Sequence, residues 1–204
     1  MPLKNLSNLM VSRIKALILV LSLLPLFKLG VLGYLDQLGA NPIEKLTRST
    51  GYWTLTLLML GLSLTPIRLL LGWLWAIRVR RMLGLFAFFY ASLHFLCYLV
   101  LDQFFDWAAI AEDILKRPYI TVGFPAFLML IPLAITSTNN MIRRLGGQRW
   151  RNLHKLVYLI AVGGVIHYWW LVKKDLTNPI TFAAILLLLF GIRLKYRMLK
   201  VSRK

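Results

Sequence analysis

The stretch Leu156–Val172 reads LVYLIAVGGVIHYWWLV, a run with no acid, lysine or arginine and a single histidine inside it. A transmembrane helix needs roughly 17–25 predominantly apolar residues, so this run predicts a membrane span, drawn here over residues 153–172. His167 lies within it and His154 at its start. At 1.5 Å per residue their separation amounts to ~20 Å along a helix, towards opposite edges of a hydrocarbon layer ~30 Å thick. Ionisable side chains at such depth are costly and are functional by default.

Working outward, the same pattern recurs along the chain. Hydrophobic residues make up 59% and charged residues 16% of the 204 residues, a balance that places the chain among integral membrane proteins. Six apolar segments predict an all-α bundle of six transmembrane helices, at about 14–34, 50–67, 82–101, 118–137, 153–172 and 178–194. The third, MLGLFAFFYASLHFLCYLVL (Met82–Leu101), carries no acid, lysine or arginine. The fourth holds Pro118, Pro125 and Pro132, which membrane helices tolerate because neighbours re-satisfy the freed carbonyls. The first exceeds a signal-peptide core and lacks a small-residue cleavage site, so it reads as a retained span. Leu69–Ile77 (LLLGWLWAI) reads as an interfacial loop. The chain then forms a single transmembrane domain, with its core over about 50–194.

Charge predicts the orientation. All seven acids (Asp36, Glu44, Asp102, Asp106, Glu112, Asp113 and Asp175) fall in the loops after the first, third and fifth spans, with seven of the 25 basic residues. The other eighteen Lys and Arg gather on the opposite face, which carries the net charge of +18. The positive-inside rule makes that face, and both termini, cytoplasmic. Such a basic face is explained by anionic lipid headgroups and not by nucleic acid.

The single cysteine, Cys97, excludes disulfides within the chain, Cys-ligated iron–sulfur clusters and covalent CxxCH haem attachment. The three histidines, His94, His154 and His167, all sit in apolar surroundings where haem iron finds ligands. His167 has Gly163 and Gly164 one turn below it, and His94 has Ala91 and Ala87 on its own face. Small residues let a flat macrocycle approach a helix, although they also simply pack membrane helices. His94 and His167 lie twelve and about fourteen residues into two spans that both run outward from the cytoplasmic face, at similar depth in the outer half, and so pair as ligands of one haem. His154 has no histidine partner at its depth and reads either as an inner haem ligand or as an interfacial histidine beside arginines. Thirteen residues also leave it about 220° from His167 around an ideal helix, unless a π-bulge near Gly163–Gly164 intervenes. Arg80 and Arg81 are candidates for haem propionates or a flavin phosphate, or else enforce topology. No acid lies within a span, which argues against a carboxylate-based proton pump.

Five stretches carry a family resemblance: GANPIEKL (Gly39–Leu46), RRMLGLFAFFYASLH (Arg80–His94), RPYITVG (Arg117–Gly123), TSTNNM (Thr136–Met141) and LHKLVYLIAVGGVIHYWW (Leu153–Trp170). Spans two to six resemble the ferric-reductase-like transmembrane domain shared with NADPH oxidases. Nearly the whole chain resembles the MsrQ (YedZ) family, the haem-binding membrane subunits of the periplasmic methionine sulfoxide reductase system. That resemblance implies a bacterial inner-membrane carrier of haem b, one or two per chain, with FMN as a further family cofactor. It implies electrons arriving from quinol or a separate cytosolic flavin reductase and leaving to a periplasmic molybdopterin catalytic subunit of the MsrP kind. The chain itself is then an electron-transfer subunit and not the enzyme; the rival reading is a stand-alone transmembrane ferric or quinone reductase. The family histidines match His94, His154 and His167. Where the larger oxidase domain carries a fourth histidine, fourteen residues before His94, this chain has Arg80.

Overall fold

The computed structural model describes residues 6–201, with side chains described over residues 6–199. These residues form helices and no strand: α1 (Asn8–Tyr34), α2 (Pro42–Leu71), α3 (Trp75–Leu96, continued by a π-helical turn over Cys97–Asp102), α4 (Trp107–Lys116), α5 (Pro118–Ile135), α6 (Asn139–Leu145), α7 (Gly147–Leu153), α8 (Leu156–Leu171) and α9 (Thr177–Val201). Five are long and apolar enough to cross a membrane: α1, α2, α3 with its π-turn, α5 and α9. The α8 helix is equally apolar but has only 16 residues, ~24 Å at helical rise. The chain is a multi-pass helical membrane protein, and its surface agrees. Phe27, Leu187 and Leu188 are 63–72% exposed on α1 and α9, an apolar exterior that water would not tolerate over so large an area.

Local chemistry sets the helix ends. In GANPIEKL, Asn41 caps α2 by accepting from the Glu44 backbone N–H at 3.2 Å, while its own amide donates to the Glu44 carboxylate. Pro42 then occupies the first helical position, where its missing N–H costs nothing. This reciprocal cap starts α2 eight residues before the apolar run that marked it in the sequence. Gly72, at φ 71° in the left-handed region, closes α2, and α3 starts at Trp75. The segment Leu69–Ile77, read from sequence as a loop, is therefore a tight helix–helix corner.

The fifth span also differs from its sequence reading. A single helix over 153–172 was expected, but α7 ends at Leu153 and α8 begins at Leu156. The break is a two-residue turn whose residues stay in the right-handed helical region, with His154 N–H bonding Trp150 O and Lys155 N–H bonding Asn152 O. Trp150 pins it by donating its indole N–H to Thr136 O at 2.9 Å. Hydropathy runs unchanged through the break, so only this tertiary anchor reveals it. No π-turn occurs at Gly163–Gly164, where α8 is regular. The π-turn follows His94 instead, with Gln103 N–H bonding Tyr98 O. The 220° argument lapses because its two histidines do not share a helix.

The core lies between α2 and α3, with α5, α8 and α9 packed around them. On the far side α1 leans on α3, where the fully buried Tyr90 donates its hydroxyl to Ser22 O at 2.7 Å. Tyr90→Phe should lower stability by about 1 kcal/mol, read as a reduced thermal midpoint of the detergent-solubilised protein with unchanged helix content.

Candidate functional site

A cavity of about 310 Å³ opens between α2, α3, α5 and α8, with α4 across its mouth. Its walls are mainly apolar, including Leu55, Leu58, Phe95, Phe124, Phe127 and Ile160, and two histidines face each other's helices within it, His94 from α3 and His167 from α8. Their ring centroids are 6.0 Å apart and the ring planes nearly perpendicular, at 84°. At an imidazole–metal bond of about 2 Å, a metal held between two coaxial imidazoles separates their ring centroids by ~6 Å. The spacing fits one iron between them.

Hydrogen bonding sets the tautomer of both rings. His94 Nδ1 lies 2.8 Å from Thr47 O and His167 Nδ1 lies 2.6 Å from Tyr119 O. A carbonyl oxygen can only accept, so each neutral ring carries its proton on Nδ1 and keeps the Nε2 lone pair. Metal-bound histidines are typically held in this way, through the second nitrogen.

Both bonds use the same backbone device. Thr47 is four residues before Gly51 on α2, and Tyr119 is four residues before Gly123 on α5. The carbonyl that accepts from the imidazole therefore stands one turn from a glycine on the same helix face. A Cβ at Gly51 would come within 3.0 Å of His94 Nδ1 and Cε1. A Cβ at Gly123 would meet His167 harder still, 2.9 Å from Cε1 and closer to Nδ1. The glycines serving these histidines thus belong to the facing helices. Gly164 does line the cavity and approaches Leu55, but Gly163 faces Ala126 and lets α8 pack closely on α5. Ala91 lines the cavity and Ala87 lies in the core beside it.

Polarity rises only at the mouth. The two cations on the cavity wall are Arg48 of α2 and Arg117 at the start of α5. Arg48 pairs with Glu44 at 2.6 Å, and Arg117 Nε with Asp113 at 2.8 Å. The largely buried Asp113 also accepts from Tyr98 Oη at 3.0 Å and Gln103 Nε2 at 3.1 Å. That network ties α4 to the π-turn and to the α5 terminus. The α4 helix, absent from the sequence reading, closes one side of the cavity with Ile110 and Ile114.

The third histidine lies elsewhere. His154 stacks on Trp150, with ring centroids 4.0 Å apart, and its Nε2 is 3.1 Å from Thr136 Oγ1. Thr136 Oγ1 also lies 2.6 Å from the acceptor Pro132 O, which takes the hydroxyl proton and leaves His154 to donate from Nε2. Its tautomer is thus opposite to that of the cavity pair. Burial first, then the positive charge of Arg80, pushes the His154 pKa down to about 4, so the ring is neutral at physiological pH. Neither Arg80 nor Arg81 lines the cavity; Arg81 bonds Asn139 Oδ1 at 2.8 Å. Among the described residues no three His, Cys, Asp or Glu side chains cluster as a metal site, so a metal at the histidine pair would bring further ligands of its own, as haem does.

Comparison with known proteins adds the decisive observation. Residues 50–165 match the family model described as "Ferric reductase like transmembrane component". The protein-methionine-sulfoxide reductase heme-binding subunit MsrQ of Herminiimonas arsenicoxydans is 53% identical over 192 residues, 93% of this chain and 88% of that one. The MsrQ of Rhodospirillum rubrum is 57% identical over 177 residues, 87% and 85% of the two chains. That of Ralstonia nicotianae is 54% identical over 176 residues, 85% and 81%. The chain belongs to the MsrQ family.

The stretches resembling MsrQ sequences now acquire physical roles. GANPIEKL caps α2 one turn before Thr47; RPYITVG contains the arginine of the mouth, the Tyr119 carbonyl and the glycine beneath His167; TSTNNM supplies the threonine and carbonyl that hold His154 and Trp150. Sequence reasoning missed Arg48, Gly51, Arg117 and Gly123. RPYITVG pointed to two of them as a motif, without showing which imidazole they meet.

Gly123→Ala is expected to displace His167 and to abolish or strongly reduce cofactor retention, whereas Gly51→Ala, with its longer contacts, should reduce it less. Cofactor absorbance per purified chain checks the order.

Proposed function

We propose that this chain is an electron carrier of the bacterial inner membrane that holds haem b between His94 and His167. In this reading it passes electrons from quinol, or from a cytosolic flavin reductase, to a periplasmic molybdopterin-containing methionine sulfoxide reductase, so that repair chemistry on oxidised periplasmic proteins occurs on the partner. The observation that carries the proposal is the pair of imidazoles 6.0 Å apart, each anchored through Nδ1 to a neighbouring helix. The names of the MsrQ relatives, which call them protein-methionine-sulfoxide reductase heme-binding subunits, support it.

Haem, when bound, would supply a reversible one-electron iron couple, and His94 and His167 would hold it by their two imidazoles, a ligand set suited to electron transfer. The protein's contribution is structural. Thr47 O and Tyr119 O keep both Nε2 lone pairs available, and Gly51 and Gly123 make room for the rings. Phe95, Phe124 and Phe127 keep the walls apolar. Arg48 and Arg117, on opposite walls at the mouth, are placed for acidic groups by charge-assisted bonds. With both termini cytoplasmic by the positive-inside rule, and with α8 as a short sixth crossing, the mouth faces the periplasm and the acceptor. FMN enters this reading as the family's flavin, at the basic cytoplasmic end.

A second count, two haems with His154 on the inner one, is favoured by the neutral, half-buried imidazole at the opposite end of α8. It requires His154 Nε2 to release Thr136. The alternative of a stand-alone ferric or quinone reductase draws on the ferric-reductase-like family match; rapid reduction of ferric chelates by the purified chain, without a partner, would favour it.

The test is an absorption spectrum and a pyridine haemochrome count on protein from haem-replete cells. A Soret band is expected, with low-spin signal lost in His94→Ala and in His167→Ala and retained in His154→Ala. Absence of haem from the wild type, or persistence of that signal in both cavity variants, sinks the proposal. A count of two falling to one in His154→Ala establishes the inner centre. Arg48→Gln combined with Arg117→Gln is expected to weaken haem retention several-fold without removing the low-spin signature, as measured by transfer to apomyoglobin.

A further inference from the structure

Arg193 of α9 is a buried cation left incompletely paired. Its Nη2 donates to Leu62 O of α2 at 2.6 Å, and its guanidinium carbon lies 5.4 Å from the centre of the Tyr158 ring on α8. Its Nε and Nη1 are both buried and, among the described residues, have no acceptor within hydrogen-bond geometry, the Tyr158 hydroxyl being the polar group that approaches the guanidinium. These two nitrogens carry three of the five guanidinium N–H groups. A long cationic side chain near a helix end ordinarily turns its head to the membrane surface; here the head is turned between three helices.

No acid of the chain can neutralise it. All seven carboxylate side chains lie at the opposite end of the bundle, in the first turn of α2, the end of the π-turn, α4 and the adjoining loops, and the ion pairs among the described residues all use Glu44, Glu112 or Asp113. The charge that bears on it is of the same sign: Arg80 of α3, half-buried, acts electrostatically on both Arg193 and His154. Removing an unpaired charge from water is strongly unfavourable, and a second cation acting on it adds to that. The Tyr158 ring offsets only a small part of this.

We infer that Arg193 forms an anion site at the cytoplasmic end of the bundle, taking one carboxylate or phosphate group that supplies the missing acceptor for its Nε and Nη1. The group arrives either on a cofactor, as a haem propionate or the phosphate of FMN, or on an anionic lipid headgroup. Arg193 is only partly exposed overall, so the bound group sits against the protein and not on its open surface. The site is independent of the two-histidine cavity, and its failure leaves the haem-carrier proposal untouched.

Full-length Arg193→Gln is compared with wild type for haem, FMN and phospholipid per chain, with the low-spin signal of the histidine pair as the control for folding. Loss of one haem or FMN per chain with lipid unchanged identifies a cofactor source. A fall of tenfold or more in retained phosphatidylglycerol, with cofactors unchanged, identifies the headgroup. Both outcomes support the site. Identical stoichiometries in a variant that keeps the low-spin signal overturn it. Should Arg193→Gln fail to fold, Arg193→Lys is titrated with FMN and with phosphatidylglycerol against delipidated wild type, following the thermal midpoint. The wild type should be stabilised by one of them, and the lysine variant should need about ten times more; equal response, or none from the wild type, overturns the inference.

Discussion

Two hydrogen bonds from imidazole Nδ1 to main-chain carbonyls organise the centre of this molecule. Each crosses between helices, His94 to α2 and His167 to α5, and each needs the two backbones to approach more closely than a Cβ permits. The carbonyl and the glycine that answer this need are four residues apart on the same helix, so a single helical turn supplies both the acceptor and the room. The device is used twice, on opposite walls. Its result is a pair of rings with defined tautomers, held by atoms that do not move independently of the helices. The close packing of α2 on α3 and of α5 on α8 is therefore also what sets the geometry of the ligands.

Polar groups are distributed so that the two ends of the bundle pose different electrostatic problems. At the cavity mouth every arginine on the cavity wall has a carboxylate: Arg48 has Glu44, and Arg117 has Asp113, which in turn holds Tyr98 and Gln103. That closed network gives α4 a fixed seat over the mouth and ties the start of α5 to it. Since Tyr119 lies two residues beyond Arg117, the same network bears on the carbonyl that orients His167. At the other end, among the described residues, no basic side chain forms an ion pair. Arginines there bond to neutral oxygens, Arg81 to Asn139 and Arg193 to Leu62, which satisfies geometry but not charge.

Much of this was legible in the chain. Hydropathy marked the spans because the lipid-facing and core-facing sides of a membrane helix are both apolar, and five of the six marked segments lie within helices long enough to cross. The pairing of His94 with His167 followed from depth alone, since two helices entering from the same face bring equal residue counts to equal depth. The break at His154–Lys155 was not legible, because it is imposed by Trp150 reaching Thr136 and leaves the hydropathy of the segment unchanged. Nor was α4, a ten-residue helix too short to announce itself between a π-turn and a proline. The glycines chosen from sequence were those nearest His167 on its own helix, whereas a ring leans towards its neighbour, and the glycines it needs are there.

Sequence by itself determined the class of the protein, an all-helical membrane bundle, together with its strong charge asymmetry and the depth at which two histidines meet, because each depends on one-dimensional counts of apolar and charged residues. Tertiary structure alone decided which nitrogen of each imidazole is free, which glycines make room for the rings, which arginines guard the cavity and which one is left without a counter-charge. Those properties depend on contacts between helices tens of residues apart, and spacing along a chain carries no record of which faces are turned towards each other.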